Sequence, residues 1–99
     1  MSVQGETKEK TRINIREPKR YRVIMHNDDF TPMEFVVEIL IDIFRKELPE
    51  AEHLMMMVHE TGRAAVGSYS YDIAVTKVKT ASDWAKEEGF PFRMTVEEA

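Results

Sequence analysis

The chain has 99 residues, of which 42% are hydrophobic and 32% charged, so it is long enough for one globular domain with a modest core but not for two. It contains no cysteine, which excludes disulfides, thiolate nucleophiles and zinc–thiolate sites. No apolar run approaches the roughly 20 residues that cross a bilayer, and the first residues lack the apolar core of a signal peptide. We therefore expect a cytoplasmic protein with no membrane partner.

Charge is divided unevenly along the chain. Residues 1–22 carry seven basic and three acidic residues, a balance of +4, whereas residues 23–99 carry seven basic and fifteen acidic residues, a balance of −8. Residues 1–18 are rich in Lys, Glu, Thr and Gln, a composition typical of a disordered arm. Such a basic arm is compatible with nucleic-acid binding, but no aromatic residue interleaves its cations, which favours a solvated tail. We divide the chain into an N-terminal arm, 1–18, and a domain, 19–99.

The first predicted element of the domain is a β-strand over residues 20–26. Tyr21, Val23 and Met25 alternate with their neighbours in the way that places them on one face of a strand. Residues 27–29 are Asn-Asp-Asp, which are turn formers and end the pattern. Three polar side chains are therefore expected where the strand stops and the next element begins.

An amphipathic helix is predicted to follow. Thr31 suits the N-cap, Pro32 suits the first helical position, and Glu34 would complete a capping box. Apolar residues then recur at helical spacing, at Phe35, Val36, Ile39, Leu40, Ile43 and Phe44. This stripe predicts a helix that runs to about Glu47.

The rest of the chain reads as a second helix, a strand, a third helix and a last strand. Pro49 begins the second helix and Gly62 ends it, residues 63–69 form a strand, and Ser70 and Gly89 bound the third helix. The last strand is marked by the alternation of Phe92, Met94 and Val96. The order β-α-α-β-α-β predicts a compact α+β domain in which a three-stranded antiparallel sheet packs with three helices.

The first candidate for a binding site is the turn Asn27, Asp28 and Asp29. Its oxygens accept hydrogen bonds from a cation, and carboxylates also bind magnesium or calcium. The pattern lacks the further acidic ligands of a calcium loop. On the tripeptide alone, an ordinary turn remains the alternative.

The second candidate is the helical face that carries His59. Met55, Val58 and His59 share one face of the second helix, and unbranched methionine adapts to varied apolar partners. Three consecutive methionines, 55–57, occupy different faces, so at most two of them line a pocket. A packed edge residue is the alternative for His59, and filler is the alternative for the methionines.

The inventory of catalytic motifs is empty. There is no Gly-rich phosphate loop, no His-Glu-x-x-His and no glycine elbow around Ser68 or Ser70. Asp28 and Asp29 are adjacent and close to solvent, unlike a desolvated acid–base pair. We therefore expect a protein that is not an enzyme, with no cofactor and no metal.

Three stretches of the sequence resemble the signature of the ClpS family. They are Asn27 to Val36 (Asn-Asp-Asp-Phe-Thr-Pro-Met-Glu-Phe-Val), Leu54-Met55 with Val58-His59, and Thr76-Lys77-Val78. The resemblance covers about residues 19–99. ClpS proteins are adaptors of the bacterial N-degron pathway: they bind an N-terminal Leu, Phe, Tyr or Trp and deliver that substrate to the Clp unfoldase-protease. Their fold resembles the C-terminal domain of the ribosomal stalk protein, in agreement with the predicted element order.

The resemblance also implies roles for individual residues. The substrate's α-amino group would be held by Asn27, Asp28 and His59. Its side chain would enter a pocket bounded by Asp29, Thr31, Met33, Val36, Met55, Val58 and Phe92. The N-terminal domain of the Clp unfoldase would dock on Asp72, Thr76 and Lys77, away from the pocket. We expect a monomer with these two protein partners and no nucleic-acid partner.

Two positions depart from the family pattern. Asp72 stands where glutamate is usual, which keeps the charge but shortens the side chain by one methylene. Phe92 stands where an aliphatic residue is common, and its larger ring is expected to make the pocket floor shallower. The alternative function, a ribosome- or nucleic-acid-associated module that uses the basic arm, predicts binding that weakens steeply with salt.

Overall fold

The element order follows the sequence pattern closely. The computed structural model describes residues 18–99. They form β1 (Tyr21–His26), α1 (Met33–Asp42), α2 (Leu48–Thr61), β2 (Arg63–Tyr69), α3 (Tyr71–Glu88) and β3 (Arg93–Glu98). The predicted α+β class and β-α-α-β-α-β order are confirmed. The predicted arm, residues 1–18, lies outside the described residues except for Pro18, so the division into arm and domain stays a prediction.

The sheet has β1 at its centre. The strand order is β2-β1-β3, and both neighbours run antiparallel to β1. Val23 and Met25 are fully buried and point to the face that the helices cover, where they pack with the inward side chains of the two outer strands. Ile24 and His26 point to the opposite face, as strand alternation requires.

One irregularity interrupts the pairing of β1 with β2. Val23 pairs with Gly67 and Ile24 with Ala65, so Val66 is the extra residue of a β-bulge. A Cβ added at Gly67 would lie 2.6 Å from the Tyr69 hydroxyl. A larger residue at this position would therefore displace the Tyr69 ring.

The C-terminal end of α1 differs from the prediction. The helix ends at Asp42, not near Glu47. Phe44 is buried, so the apolar stripe does continue, but burial there is achieved by a backbone turn in which Arg45 adopts a left-handed φ of 57°. The Lys46 N–H donates to the Leu40 carbonyl at 3.0 Å, closing the helix end as a C-terminal capping motif does.

The N-terminal end of α1 also differs. Pro32 occupies the N-cap, and no side chain caps the helix there. The Thr31 hydroxyl instead donates to the Asp28 carboxylate at 2.8 Å, so the predicted capping box with Glu34 does not form. Thr31, which the sequence pattern assigned to the start of the helix, therefore belongs to the turn before it.

Glycines end the other two helices, as predicted. Gly62 follows α2 with a φ of 94°, and Gly89 follows α3 with a φ of 81°, values that favour glycine. Gly62 has a second role, since its carbonyl accepts the Asn27 N–H at 2.9 Å. The end of α2 is thereby tied to the end of β1. Within residues 18–99, no helix combines the length and apolar character needed to cross a membrane.

Candidate functional site

A cavity of about 180 Å³ opens where β1 ends. Its walls come from the turn after β1, the first turns of α1, the second half of α2 and the residue before β3. The lining side chains are His26, Asn27, Asp28, Asp29, Thr31, Met33, Val36, Met55, Val58, His59 and Phe92. Because an apolar cavity of about 150 Å³ holds one benzene molecule, this cavity matches one large side chain of a ligand.

All ten residues that the resemblance assigns to the amine site and the pocket lie around this one cavity. They come from four separate segments, which the fold brings together. The three residues assigned to unfoldase docking do not line it. The geometry thus agrees with the predicted grouping, while what each residue binds stays a prediction.

The Asp28 carboxylate organises the polar end of the cavity. Its Oδ1 accepts the N–H groups of Phe30 and Thr31 at 2.8 and 2.7 Å, and its Oδ2 accepts the Thr31 hydroxyl at 2.8 Å. A carboxylate offers about four lone-pair positions. Three are occupied within the turn, so one position on Oδ2 is left for a ligand.

Asn27 and His59 belong to the same end of the cavity. The Asn27 N–H donates to the carbonyl of Gly62, which follows His59 by three residues at the end of α2. This bond holds the backbone of Asn27 close to the helix end that carries His59. The side chains of both residues are exposed at the cavity. With Asp28 they present an amide oxygen, a carboxylate oxygen and an imidazole nitrogen, three groups that can accept hydrogen bonds.

The other end of the cavity is apolar. Val58 and Phe92 are buried, and the Phe92 ring meets Phe35 edge to face, with centroids 6.3 Å apart and planes at 87°. Edge-to-face packing of this kind stabilises aromatic pairs, so the Phe92 ring is held in place. Met33 is 43% exposed and stands at the mouth.

The three consecutive methionines of α2 point in three directions. Met55 lines the cavity, Met56 is exposed, and Met57 packs against the core. One of the three methionines therefore lines the cavity, which agrees with the prediction that at most two of them could.

His26 is the cavity residue that the sequence did not reveal. Its Nε2 lies 2.8 Å from the Thr95 hydroxyl on β3. Burial lowers the pKa of His26, and the positive charges of Arg93 and Arg63 lower it further. Strand alternation assigned His26 to the face opposite the core, and its position next to Asn27 was the one available hint.

The residues predicted to dock the unfoldase lie on α3. Asp72 and Thr76 are exposed, whereas Lys77 is half-buried. The Lys77 ammonium donates to the Ile43 carbonyl at 2.8 Å and lies 5.6 Å from the ring centroids of both Phe44 and Tyr69. Lys77 therefore also caps the C-terminal end of α1.

The polar end of the cavity presents hydrogen-bond acceptors of the kind that suit an organic cation. Within residues 18–99, no three His, Asp or Glu side chains converge in the manner of a metal site. Three of the acceptor positions of Asp28 are occupied by hydrogen bonds within its own turn. The acceptors that remain suit a ligand with a few N–H groups.

The fold is a small α+β domain, and its cavity has an acceptor-lined end and an apolar end. A family model described as "ATP-dependent Clp protease adaptor protein ClpS" matches residues 16–95. The chain belongs to the ClpS family of Clp protease adaptors, as the sequence motifs predicted.

Relatives across bacteria support this assignment. The ClpS adapter of Treponema denticola is 57% identical over 81 residues, which cover 82% of this chain and 80% of that protein. The ClpS adapter of Acetivibrio thermocellus is 42% identical over 97 residues, 98% of each chain. Among solved structures, Agrobacterium tumefaciens ClpS2 bound to L-phenylalaninamide is 43% identical and superposes with a TM-score of 0.81, over 84% of this chain and all of that one.

Proposed function

We propose that this chain binds the free N-terminal residue of other proteins, where that residue is Leu, Phe, Tyr or Trp, and delivers them to a Clp unfoldase in the cytoplasm. The observation that carries the proposal is the division of one cavity into an acceptor-lined end and an apolar end. An N-terminal residue has the matching division, because its ammonium group and its side chain leave the same carbon.

The ammonium group fits the polar end. It carries only donors, and the cavity offers the Asn27 amide, the free position on Asp28 Oδ2 and a ring nitrogen of His59. A backbone amide or an N-acetylated terminus has a single N–H and no charge. The site is therefore expected to distinguish a true chain terminus from an internal residue.

The side chain fits the apolar end. The cavity accommodates one side chain of leucine or phenylalanine size, with Phe92 as its floor and Met33 at its mouth. The Agrobacterium relative, solved with L-phenylalaninamide, supports this arrangement, since that ligand joins a free amine to an aromatic ring.

The energetics set an upper limit on affinity. Two hydrogen bonds to a charged amine contribute about 1.5–3 kcal/mol each, and burial of a Leu or Phe side chain adds about 1.5–3 kcal/mol. The gross gain of about 5–9 kcal/mol is reduced by the entropy cost of association. Micromolar affinity, about −8.2 kcal/mol, is therefore near the most that this site delivers.

Delivery requires a second surface, which we assign to Asp72, Thr76 and Lys77 on α3. The exposure of Asp72 and Thr76 supports this assignment. Lys77 has its ammonium turned toward Ile43, so docking would use the outer part of its side chain or draw the ammonium out. Because one chain carries both surfaces, a monomer suffices.

The proposal is tested by titrating the protein with labelled peptides that differ only at their first residue. Fluorescence anisotropy should show binding to peptides that begin with Leu, Phe, Tyr or Trp, and much weaker binding to those that begin with Ile or Met. The N-acetylated form of the Phe peptide is the matched control and should not bind. Equal binding of the free and acetylated peptides would contradict the proposal.

A further inference from the structure

A row of three basic side chains crosses the sheet beside the cavity. His26, the last residue of β1, pairs with Arg63 of β2 on one side and with Arg93 of β3 on the other. Residues directly opposite in antiparallel strands project from the same face of the sheet. Arg63, His26 and Arg93, here called the arginine row, therefore lie together on the face opposite the core.

The arginine row belongs to a face with excess positive charge. Glu97 is shared by Arg63 at 3.2 Å and Arg22 at 3.6 Å, so one carboxylate serves two guanidinium groups. Arg93 forms no ion pair within residues 18–99 and is exposed. Residues 23–99 as a whole carry a balance of −8. The row is thus a local positive patch on an acidic domain.

The row also lies next to the cavity, through His26. His26 lines the cavity and belongs to the row at the same time. Arg93 directly follows Phe92, the floor of the cavity, and Arg63 directly follows Gly62, which holds Asn27. The chain that follows a bound N-terminal residue has to leave across the rim of the cavity, and His26 places the two arginines beside that rim on the side of the sheet.

We propose that the arginine row selects substrates with an acidic side chain at the second or third residue. The inference rests on the proposed function and adds to it a preference beyond the first residue. A carboxylate pairs with guanidinium groups through charge-assisted hydrogen bonds, and arginine suits this geometry better than lysine. A basic side chain at the same place meets like charge. Asp28 belongs to the proposed amine site, where the substrate's own ammonium group faces it, and Asp29 belongs to the proposed side-chain pocket.

The test uses peptides that begin with Phe and carry Asp, Asn or Lys at the second residue, with a parallel set changed at the third residue and a set changed at the sixth. We measure free peptides against the full chain at low salt. Peptides with Asp at the second or third residue should bind about 3- to 10-fold more tightly than peptides with Lys there, and the same change at the sixth residue should have no effect. In Arg93→Gln the ratio should fall below about twofold, and Arg93→Lys should keep part of it because the charge remains. The matched control is Arg20→Gln, which removes an exposed arginine that donates to the Ser68 carbonyl and takes no part in the Glu97 ion pairs, and it should leave the ratio unchanged.

The outcomes separate this inference from the function on which it rests. If Phe peptides require a free amine but the second and third residues have no effect, the inference is wrong and the proposed function stands. If the acetylated peptide binds as well as the free one, the proposed function itself fails. If a single-stranded oligonucleotide displaces the peptide from the wild type but not from Arg93→Gln, the row is a phosphate-binding surface and the inference is overturned. Thermal unfolding of each variant confirms that it is folded.

Discussion

Replacement of Asp28 by asparagine separates the two tasks of this side chain. In the turn, Oδ1 accepts two backbone N–H groups, and the amide oxygen of asparagine can take over both bonds. At Oδ2 the change is of a different kind, because an NH₂ group replaces an acceptor. It can still pair with the Thr31 hydroxyl, which then accepts, but it presents a donor to the ligand's ammonium group.

The expected loss follows from the one acceptor position that Asp28 keeps for the ligand. A hydrogen bond to a charged group contributes about 1.5–3 kcal/mol, so Asp28→Asn should weaken binding of a Phe-initiated peptide by roughly 10- to 150-fold at about 1.4 kcal/mol per decade. The turn itself should lose less, about 1 kcal/mol, because neutral hydrogen bonds replace charge-assisted ones.

Anisotropy titrations combined with urea unfolding measure both effects. The matched control is Asp42→Asn, the same chemical change at an exposed carboxylate at the end of α1, away from the cavity. Its affinity and stability should match those of the wild type. If Asp28→Asn binds the peptide within twofold of the wild type, Asp28 does not hold the amine and the assignment of the polar end is wrong.

Three further predictions address other parts of the structure. Met33→Ala should admit peptides that begin with Ile or Val, since their branched Cβ places bulk next to the mouth that Met33 narrows; unchanged discrimination in titrations would place this selectivity elsewhere. Lys77→Met should lower the free energy of unfolding by about 1–3 kcal/mol through loss of the bond to Ile43 and the contacts with two rings, whereas Lys79→Met, at an exposed i,i+4 pair, should cost less than about 0.5 kcal/mol. The pKa of His26 is lowered in the folded protein, so its protonation favours unfolding: stability is full above the unfolded pKa of about 6.5 and declines as the pH falls below it. Urea unfolding at pH 7 and pH 5 should show a smaller acid loss in His26→Gln, and an equal loss would assign the pH dependence to other groups.

Element order could be predicted because local signals and tertiary packing agree along most of the chain. Gly62 and Gly89 end helices at positive φ, which is a local demand that few other residues meet. Val23 and Met25 alternate into the core because their strand is covered on one face. In each case the side-chain pattern and the backbone conformation ask for the same structure.

The predictions for the two ends of α1 were wrong because a residue there interacts with a partner that the local pattern does not show. Thr31 has a side chain suited to an N-cap, but its hydroxyl donates to the Asp28 carboxylate instead. Phe44 continues the apolar stripe of α1, yet it is buried from a turn that Lys77, 33 residues later, helps to close through the adjacent Ile43. The spacing of residues along the chain does not show such contacts, so it could not predict where α1 begins and ends.

The cavity shows why ten of its lining residues were reachable from the sequence and His26 was not. Six of the ten stand out by their chemistry, one segment at a time: the polar turn of Asn27, Asp28 and Asp29, and the helical face of Met55, Val58 and His59. The other four, Thr31, Met33, Val36 and Phe92, were assigned through the resemblance to the ClpS family. His26 has no such motif, and it reaches the cavity because β1 ends against the Asn27–Gly62 bond, which draws the end of the central strand and the end of α2 together. That same bond places Arg63 beside His26, so one backbone contact both shapes the polar end of the cavity and brings a positive charge next to it. A substitution that disturbs Gly62 should therefore change amine binding and second-residue preference together, although Gly62 itself offers no side chain to either.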